Sequence, residues 1–136
     1  MIKRPERRTT MAEITILVVD DDPTNRIVLS KMLKHRGYTV TQAESGAQAI
    51  ECVSETAPAV VLMDINMPGM TGVEAARKIA AMLGEAAPKI VAVTANNTTA
   101  QRAECAAAGF QGFVAKPVKM QVLFEALDDG SASHGA

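Results

Sequence analysis

Five short apolar runs alternate along the chain with segments whose apolar residues recur at helical spacing. The first, third and fourth runs are nearly continuous in Val, Ile and Leu, which is typical of strands buried on both faces of a parallel sheet. We therefore predict five strands, at Ile14–Val19, Tyr38–Ala43, Ala59–Met63, Lys89–Val93 and Gly112–Ala115.

Helix-capping residues punctuate the segments between these runs. Asp22 followed by Pro23 predicts a helix start, and Gly37 predicts the end of the same helix. A hydroxyl three residues before Glu or Gln, the spacing of a capping box, occurs at Ser45, Thr71 and Thr98. Five strand–helix units with short connections predict an α/β fold, an open, doubly wound, five-stranded parallel sheet with helices on both faces.

Three parts of the chain are expected to be less firmly anchored. The fourth predicted helix carries Ala106, Ala107 and Ala108 in place of large apolar residues, which predicts either a movable element or a tightly packed alanine face. Residues 1–12, which carry a net charge of +3 over the first eight, are expected to form a basic, flexible N-terminal tail. We predict a folded domain over residues 13–129 and a flexible C-terminal tail over residues 130–136.

Composition narrows the class of protein. The 136 residues are 48% hydrophobic and 21% charged, which fits one globular domain, and a net charge of −1 argues against direct nucleic-acid binding. No apolar run approaches the roughly 18 residues of a membrane-spanning helix, so we expect no membrane insertion. Cys52 and Cys105 stand far apart without a CxxC motif, which is typical of thiols in a reducing cytoplasm and predicts a cytoplasmic location.

Chemically reactive side chains follow four of the five predicted strands. Asp20 and Asp21 follow the first strand, Asp64 the third, Thr94 the fourth and Lys116 the fifth. Open parallel sheets bind ligands at the carboxyl ends of their strands, so we expect these side chains to converge. Two unit charges about 4 Å apart repel by roughly 4 kcal/mol at an effective dielectric near 20. Three carboxylates with one lysine therefore need raised pKa values or a bound cation.

Magnesium fits this set best, because it prefers hard oxygen ligands and keeps open positions for water and phosphate oxygens. Neither His35 nor His134 lies near a strand end, which argues against a softer metal. A cation, a lysine and a threonine hydroxyl can together hold a phosphoryl group, and a carboxylate of the cluster could itself be the nucleophile. The chain has no glycine-rich phosphate loop, so a bound nucleotide is not expected.

Four motifs in order resemble the receiver domain of bacterial two-component response regulators: Val18–Asp21, Met63–Met70, Val93–Ala95 and Gly112–Pro117. The resemblance covers about Ile14 to Leu127. It implies a flavodoxin-like (βα)5 fold with strand order 2-1-3-4-5, of which a chemotaxis receiver is an example.

The resemblance also implies roles for the acidic residues. Asp64 resembles the phosphoacceptor, which takes a phosphoryl group from a phosphohistidine on a sensor histidine kinase or a histidine phosphotransfer protein. Asp21, Asp64 and the backbone carbonyl of Asn66 resemble the direct magnesium ligands, and Asp20 resembles the residue that acts through water.

The remaining roles concern the phosphoryl group and the output. Thr94 resembles the hydroxyl that turns toward the phosphoryl group, Lys116 its counter-charge and Phe113 the switch aromatic. The Lys116–Pro117 bond is expected to be cis. The fourth helix, fifth strand and fifth helix, about Thr98–Leu127, resemble the surface that binds a downstream protein target, and phosphorylation-dependent dimerisation is left open.

The chain leaves no room after Leu127 for a DNA-binding or enzymatic domain. We therefore expect a single-domain regulator or a receiver excised from a larger protein. The stretches Asp22–Arg26 and Val114–Val118 resemble receivers attached to hybrid histidine kinases.

Two other functions are weighed against a phosphoacceptor switch that catalyses only its own phosphorylation and autodephosphorylation. A magnesium-dependent phosphohydrolase with an aspartyl nucleophile would need a second acidic group close by, and Asn66 stands at the position two residues after Asp64. A pseudo-receiver that only docks partners would not need the full set of Asp20, Asp21, Asp64, Thr94 and Lys116.

Overall fold

A computed structural model of the protein describes residues 14–96 and 98–132, so the predicted N-terminal tail lies outside the described residues. Strands and helices alternate throughout, with a short 3₁₀ helix at Gly84–Ala86. The elements are β1 (Thr15–Val19), α1 (Pro23–His35), β2 (Thr39–Ala43), α2 (Gly46–Thr56), β3 (Val60–Asp64), α3 (Gly72–Leu83), β4 (Lys89–Thr94), α4 (Thr99–Ala108), β5 (Gly112–Ala115) and α5 (Met120–Ala132).

All strand pairs that the structure describes are parallel, and the sheet order is β2-β1-β3-β4-β5, which confirms the predicted fold and order. Each predicted strand is present, with ends shifted by no more than one residue. Two of those shifts matter, because Asp64 and Thr94 are the last residues of β3 and β4 and not the first residues beyond them. Asp64 pairs in register with Val93, and Thr94 with Ala115.

The sheet separates two aliphatic cores. On the face covered by α2, α3 and α4, the buried residues include Leu17, Val53, Met63, Ile79, Ala92 and Cys105. On the face covered by α1 and α5, they include Ile16, Leu33, Leu62, Val91, Val114 and Leu123. Neighbouring residues of a strand therefore enter different cores, which is why the central strands are apolar throughout.

The predicted helix starts are present, but only one has a complete capping box. Thr71 and Glu74 exchange both hydrogen bonds at α3. Ser45 and Thr98 each accept a hydrogen bond from the amide three residues on, yet the Gln side chains bond elsewhere. Gln48 accepts from the amide of Glu44, and the Gln101 amide nitrogen donates to Glu104.

Two of the predictions concern the packing of α4 and the C-terminal end of α5. In α4, Cys105 and Ala108 are buried, whereas Ala106 and Ala107 are exposed, so the tightly packed alanine face is wrong. The last helix, α5, continues to Ala132 and so includes residues 130–132 of the predicted C-terminal tail, whereas residues 133–136 lie outside the described residues. The Lys116–Pro117 bond is cis, as expected. No helix in the described part of the chain is long and apolar enough to cross a membrane.

Candidate functional site

Three carboxylates meet at the carboxyl edge of the sheet. One oxygen each from Asp20, Asp21 and Asp64 lies within 4.8 Å of the other two. Asp20 and Asp64 are buried, with 1% and 5% of their surfaces exposed, whereas Asp21 is exposed. The cluster therefore has a buried floor and one side open to solvent.

Lys116 supplies the positive charge of this cluster. Its Nζ lies 3.0 Å from Asp20 Oδ2 and 3.6 Å from Asp64 Oδ2. The lysine follows β5, at the edge of the sheet, and its side chain reaches across the end of β4 to the carboxylates that follow β1 and end β3. One ammonium thus faces two buried carboxylates.

Two hydrogen bonds hold Asp20 in place, one to its side chain and one to its backbone carbonyl. The amide of Asp22 donates to Asp20 Oδ1 at 2.9 Å, and the Arg26 guanidinium donates to the Asp20 carbonyl at 2.6 Å. The Asp22 side chain accepts from the Thr24 amide and caps α1. Arg26 was not among the predicted site residues, since nothing in the sequence distinguishes it from other helix-surface arginines.

Thr94 and Asn66 connect the ends of β3 and β4. The Thr94 hydroxyl is fully buried and accepts from the Asn96 amide at 3.2 Å and from Asn66 Nδ2 at 3.5 Å. The Asn66 backbone amide donates to Asp64 Oδ1 at 3.3 Å. Asn66 therefore contacts both the candidate nucleophile and the candidate hydroxyl, and its carbonyl remains a predicted metal ligand.

Gly72 fixes α3 against the end of β3. A Cβ at this position would clash with the Asp64 carbonyl oxygen and would lie 2.9 Å from the Ile65 Cα. The Gly72 amide donates to the Ile65 carbonyl at 2.9 Å. Only glycine permits this approach.

Burial and charge set the protonation of the site. Burial raises the pKa of Asp64 to about 6, with Lys116 opposing the rise and the charges of Asp20 and Asp21 adding to it. Burial also lowers the pKa of Lys116, but its hydrogen bond and charge contacts with Asp20 and Asp64 outweigh that effect and raise it. Lys116 therefore stays protonated at neutral pH, and Asp64 is mostly ionised.

The donor set fits magnesium. All three clustered side chains offer hard carboxylate oxygens, and the single ammonium leaves the cluster with surplus negative charge. The exposed carboxylate of Asp21 lies on the solvent side, where a hydrated cation can enter.

Phe113 lies apart from this cluster. It is the second residue of β5, its ring is half-buried, and the guanidinium carbon of Arg102 in α4 lies 4.3 Å from the ring centroid. The structure thus brings together Asp20, Asp21, Asp64, Asn66, Thr94 and Lys116 at one edge, with Phe113 outside that group.

Comparison with known proteins gives a consistent result. The family model of the response regulator receiver domain matches residues 16–128. The chain is 37% identical over 115 residues to the sensor histidine kinase RcsC of Salmonella typhimurium, covering 85% of this chain and 12% of RcsC. It is 32% identical over 113 residues to the protein PilH of Pseudomonas aeruginosa, covering 83% of this chain and 93% of PilH.

A solved structure agrees with these relatives. The Vibrio cholerae chemotaxis protein CheY4 superimposes with a TM-score of 0.80 at 28% identity, covering 85% of this chain and 96% of CheY4. The chain spans only a small part of RcsC but nearly the whole of PilH and CheY4. From the family model, these relatives and the shared fold, we conclude that the chain belongs to the response regulator receiver domains of two-component phosphorelay signalling.

Proposed function

We propose that Asp64 is the phosphoacceptor of this receiver domain and that its phosphorylation switches the binding of a protein target. The observation that carries this proposal is the buried Asp64 carboxylate beside both Lys116 and the Asp20–Asp21 pair. A nucleophile at this place has a cation beside it, and the exposed Asp21 marks the side of the cluster that is open to solvent.

The proposed reaction is a phosphoryl transfer. An Asp64 carboxylate oxygen forms a bond to phosphorus as the bond between phosphorus and a histidine nitrogen of the donor protein breaks. The imidazole leaves with the electron pair of that bond, and Asp64 becomes an acyl phosphate. Lys116 stabilises the charge on the phosphoryl oxygens, and the Thr94 hydroxyl donates a hydrogen bond to one of them after leaving its present partners.

Magnesium is the proposed cofactor, and Asp21, Asp64 and the Asn66 carbonyl are its proposed direct ligands, with Asp20 acting through water. When bound, it neutralises charge shared between the carboxylates and the phosphoryl oxygens. The Asp20 carboxylate is already held by Lys116 and the Asp22 amide, which supports an outer role for it.

The donor is a sensor histidine kinase or a histidine phosphotransfer protein, and we propose that it docks on α1. Ile27 and Val28 are 50% and 45% exposed on this helix. A cavity of about 190 Å³ joins Val28 and Leu29 to Lys116 and Pro117. An apolar surface next to the phosphoryl site would let a partner place its histidine above Asp64.

The proposed output surface is formed by α4, β5 and α5. Two open grooves of about 580 and 300 Å³ flank β5 and meet at Gly112 and Phe113. A downstream protein, or a second phosphorylated copy of this chain, would bind there. A cytoplasmic location remains a prediction, supported by Cys52 and Cys105 being free thiols.

Receiver domains do not in general act on a separate substrate, and we propose that this chain catalyses only its own phosphorylation and dephosphorylation. The residue two positions after Asp64 is Asn66, whose side-chain amide cannot serve as the general acid that a phosphohydrolase needs. The hydrolase and the docking-only module remain the alternatives that the following experiment separates.

The test is incubation with acetyl phosphate and magnesium, followed by intact-protein and peptide mass spectrometry. We expect one added phosphoryl group on the peptide containing Asp64, lost in Asp64→Asn and retained in Asp22→Asn. Continued phosphorylation of Asp64→Asn would overturn the assignment. Multiple turnover of a phosphomonoester would favour the hydrolase, and no phosphorylation of the wild type would favour the docking module.

A further inference from the structure

Arg102 covers the half-buried ring of Phe113 from the exposed side of α4. The distance from the guanidinium carbon to the ring centroid is 4.3 Å, well inside the roughly 6 Å range of cation–π attraction. A similar pair, Arg36 over Phe124 at 4.4 Å, lies between the end of α1 and α5. The second pair offers a matched comparison at a different place in the fold.

Phe113 and Thr94 lie on the same face of the sheet. Phe113 is in register with Ala92, and Thr94, two residues further along β4, is in register with Ala115. The strand positions between the ring and the hydroxyl on this face are therefore both alanines. No large side chain of β4 or β5 therefore stands between the ring and Thr94 on this face.

The ring of Phe113 packs against the core that includes Ala92 and Cys105, and it also borders an open groove beside Arg102. A groove of about 300 Å³ runs between α4 and β5, and Ala106 and Gly112 contribute little or no side chain to its walls. Helix α4 buries only Cys105 and Ala108 among its residues. Arg102 is thus the long side chain of α4 that contacts the ring, beside this open groove.

We propose that Arg102 is a positioning residue that holds Phe113 outward and so opposes the phosphorylated state of the domain. The inference rests on the proposed phosphorylation of Asp64. When the Thr94 hydroxyl moves to the phosphoryl group, it vacates space on this face of the sheet. An inward turn of Phe113 fills that space and breaks the contact with Arg102. A contact present only in the resting state lowers the affinity of the site for the phosphoryl group.

The size of the effect follows from the strength of an exposed cation–π contact. Such contacts contribute enough to change an equilibrium about two- to fivefold. Arg102→Ala should therefore bind beryllofluoride with magnesium, a phosphoryl analogue, about two- to fivefold more tightly than the wild type. Arg102→Lys, which keeps a cation, should fall between them, and Arg36→Ala should match the wild type.

Two further measurements separate positioning from a general structural role. In a Phe113→Leu background, Arg102→Ala should have no further effect, because the ring it acts on is gone. With fluorophenylalanine at Phe113, the fluorine NMR signal of Arg102→Ala should shift toward that of the wild type with bound beryllofluoride. Unchanged or weaker beryllofluoride binding by Arg102→Ala overturns the inference, as does an equal effect in the Phe113→Leu background.

The failure of this inference differs from the failure of the proposed function. If acetyl phosphate leaves Asp64 unmodified in the wild type, the phosphoacceptor assignment fails. If Asp64 is phosphorylated but Arg102→Ala binds the analogue like the wild type, only the role of Arg102 is wrong.

Discussion

The ammonium of Lys116 is closer to Asp20 than to Asp64, at 3.0 Å against 3.6 Å. Its one hydrogen bond within this cluster also goes to Asp20. The candidate nucleophile is thus the less fully compensated of the two buried carboxylates. This arrangement is consistent with an Asp64 pKa raised to about 6 despite a lysine nearby.

Replacing Lys116 by methionine should raise the pKa of Asp64 above about 6, since the lysine opposes the effect of burial. It should also slow phosphorylation by acetyl phosphate at least about tenfold, because the phosphoryl oxygens lose their counter-charge. Carbon NMR titration of the Asp64 carboxyl and mass spectrometry measure the two effects. Lys119→Met, an exposed lysine three residues on, is the control. An Asp64 pKa equal in both variants would contradict the prediction.

Asp64→Asn should stabilise the metal-free protein at neutral pH. Because the folded-state pKa is raised from 3.8 to about 6, the folded protein binds more protons than the unfolded chain between those values, so stability falls as pH rises through that window. The gain should be about 1–3 kcal/mol near neutral pH and should vanish near pH 4. Urea unfolding in EDTA at several pH values tests this. Asp22→Asn, which keeps a good N-cap, should show no comparable gain.

Asp21→Asn should weaken magnesium binding at least about tenfold without destabilising the fold, because this carboxylate is exposed and belongs to the cluster. Calorimetric titration with magnesium measures the affinity. Asp22→Asn removes one charge from the adjacent residue. It should change the magnesium affinity far less, since the Asp22 side chain accepts a hydrogen bond from the Thr24 amide. If the two variants lose the same amount of magnesium affinity, the loss comes from the change in net charge and Asp21 is not a direct ligand. Chelation with EDTA should abolish phosphorylation of the wild type.

Ile27→Asp should slow phosphoryl transfer from a phosphohistidine protein but leave phosphorylation by acetyl phosphate unchanged. A charge on α1 would disrupt an apolar docking surface without touching the reacting groups. Met82 in α3 is equally exposed, at 52%, and Met82→Asp is the matched control. If Ile27→Asp slows phosphorylation by acetyl phosphate as much as transfer from the phosphohistidine protein, α1 is not the surface on which the donor protein docks.

Gly72→Ala should destabilise the domain by about 1–3 kcal/mol or more, because the added methyl would clash with the backbone of Asp64. Gly46→Ala offers a comparison, since its nearest neighbour is the Met70 side chain, whose sulfur lies 3.0 Å from the added Cβ and can move. Urea unfolding of both variants should show the larger loss for Gly72→Ala. A larger loss for Gly46→Ala would contradict the close approach described.

The positions of the site residues were predictable because parallel strands place their carboxyl ends at one edge. Asp20, Asp64, Thr94 and Lys116 follow from that rule once the strands are located. The strand order itself came from the resemblance, since hydrophobic pattern alone does not distinguish one order of five buried strands from another.

Other features depended on tertiary contacts that no local pattern encodes. Arg26 bonds the Asp20 carbonyl, although its sequence position is that of an ordinary solvent-facing arginine. Gln48 satisfies the capping-box spacing but bonds the amide of Glu44 instead of that of Ser45. The contact of Arg102 with Phe113 joins residues from different elements, so spacing along the chain carries no signal of it.

The close approach of Gly72 to the Asp64 backbone makes the two sides of the site mechanically unequal. On the α3 side, helix and strand are already in backbone contact, so α3 cannot move relative to Asp64 without breaking the hydrogen bond from Gly72 to Ile65. On the α4 side, Thr94 is held by hydrogen bonds, and the helix beyond it buries only Cys105 and Ala108. We therefore expect a change at Asp64 to displace the α4 side of the site more readily than the α3 side, so that its effect spreads toward α4 and β5.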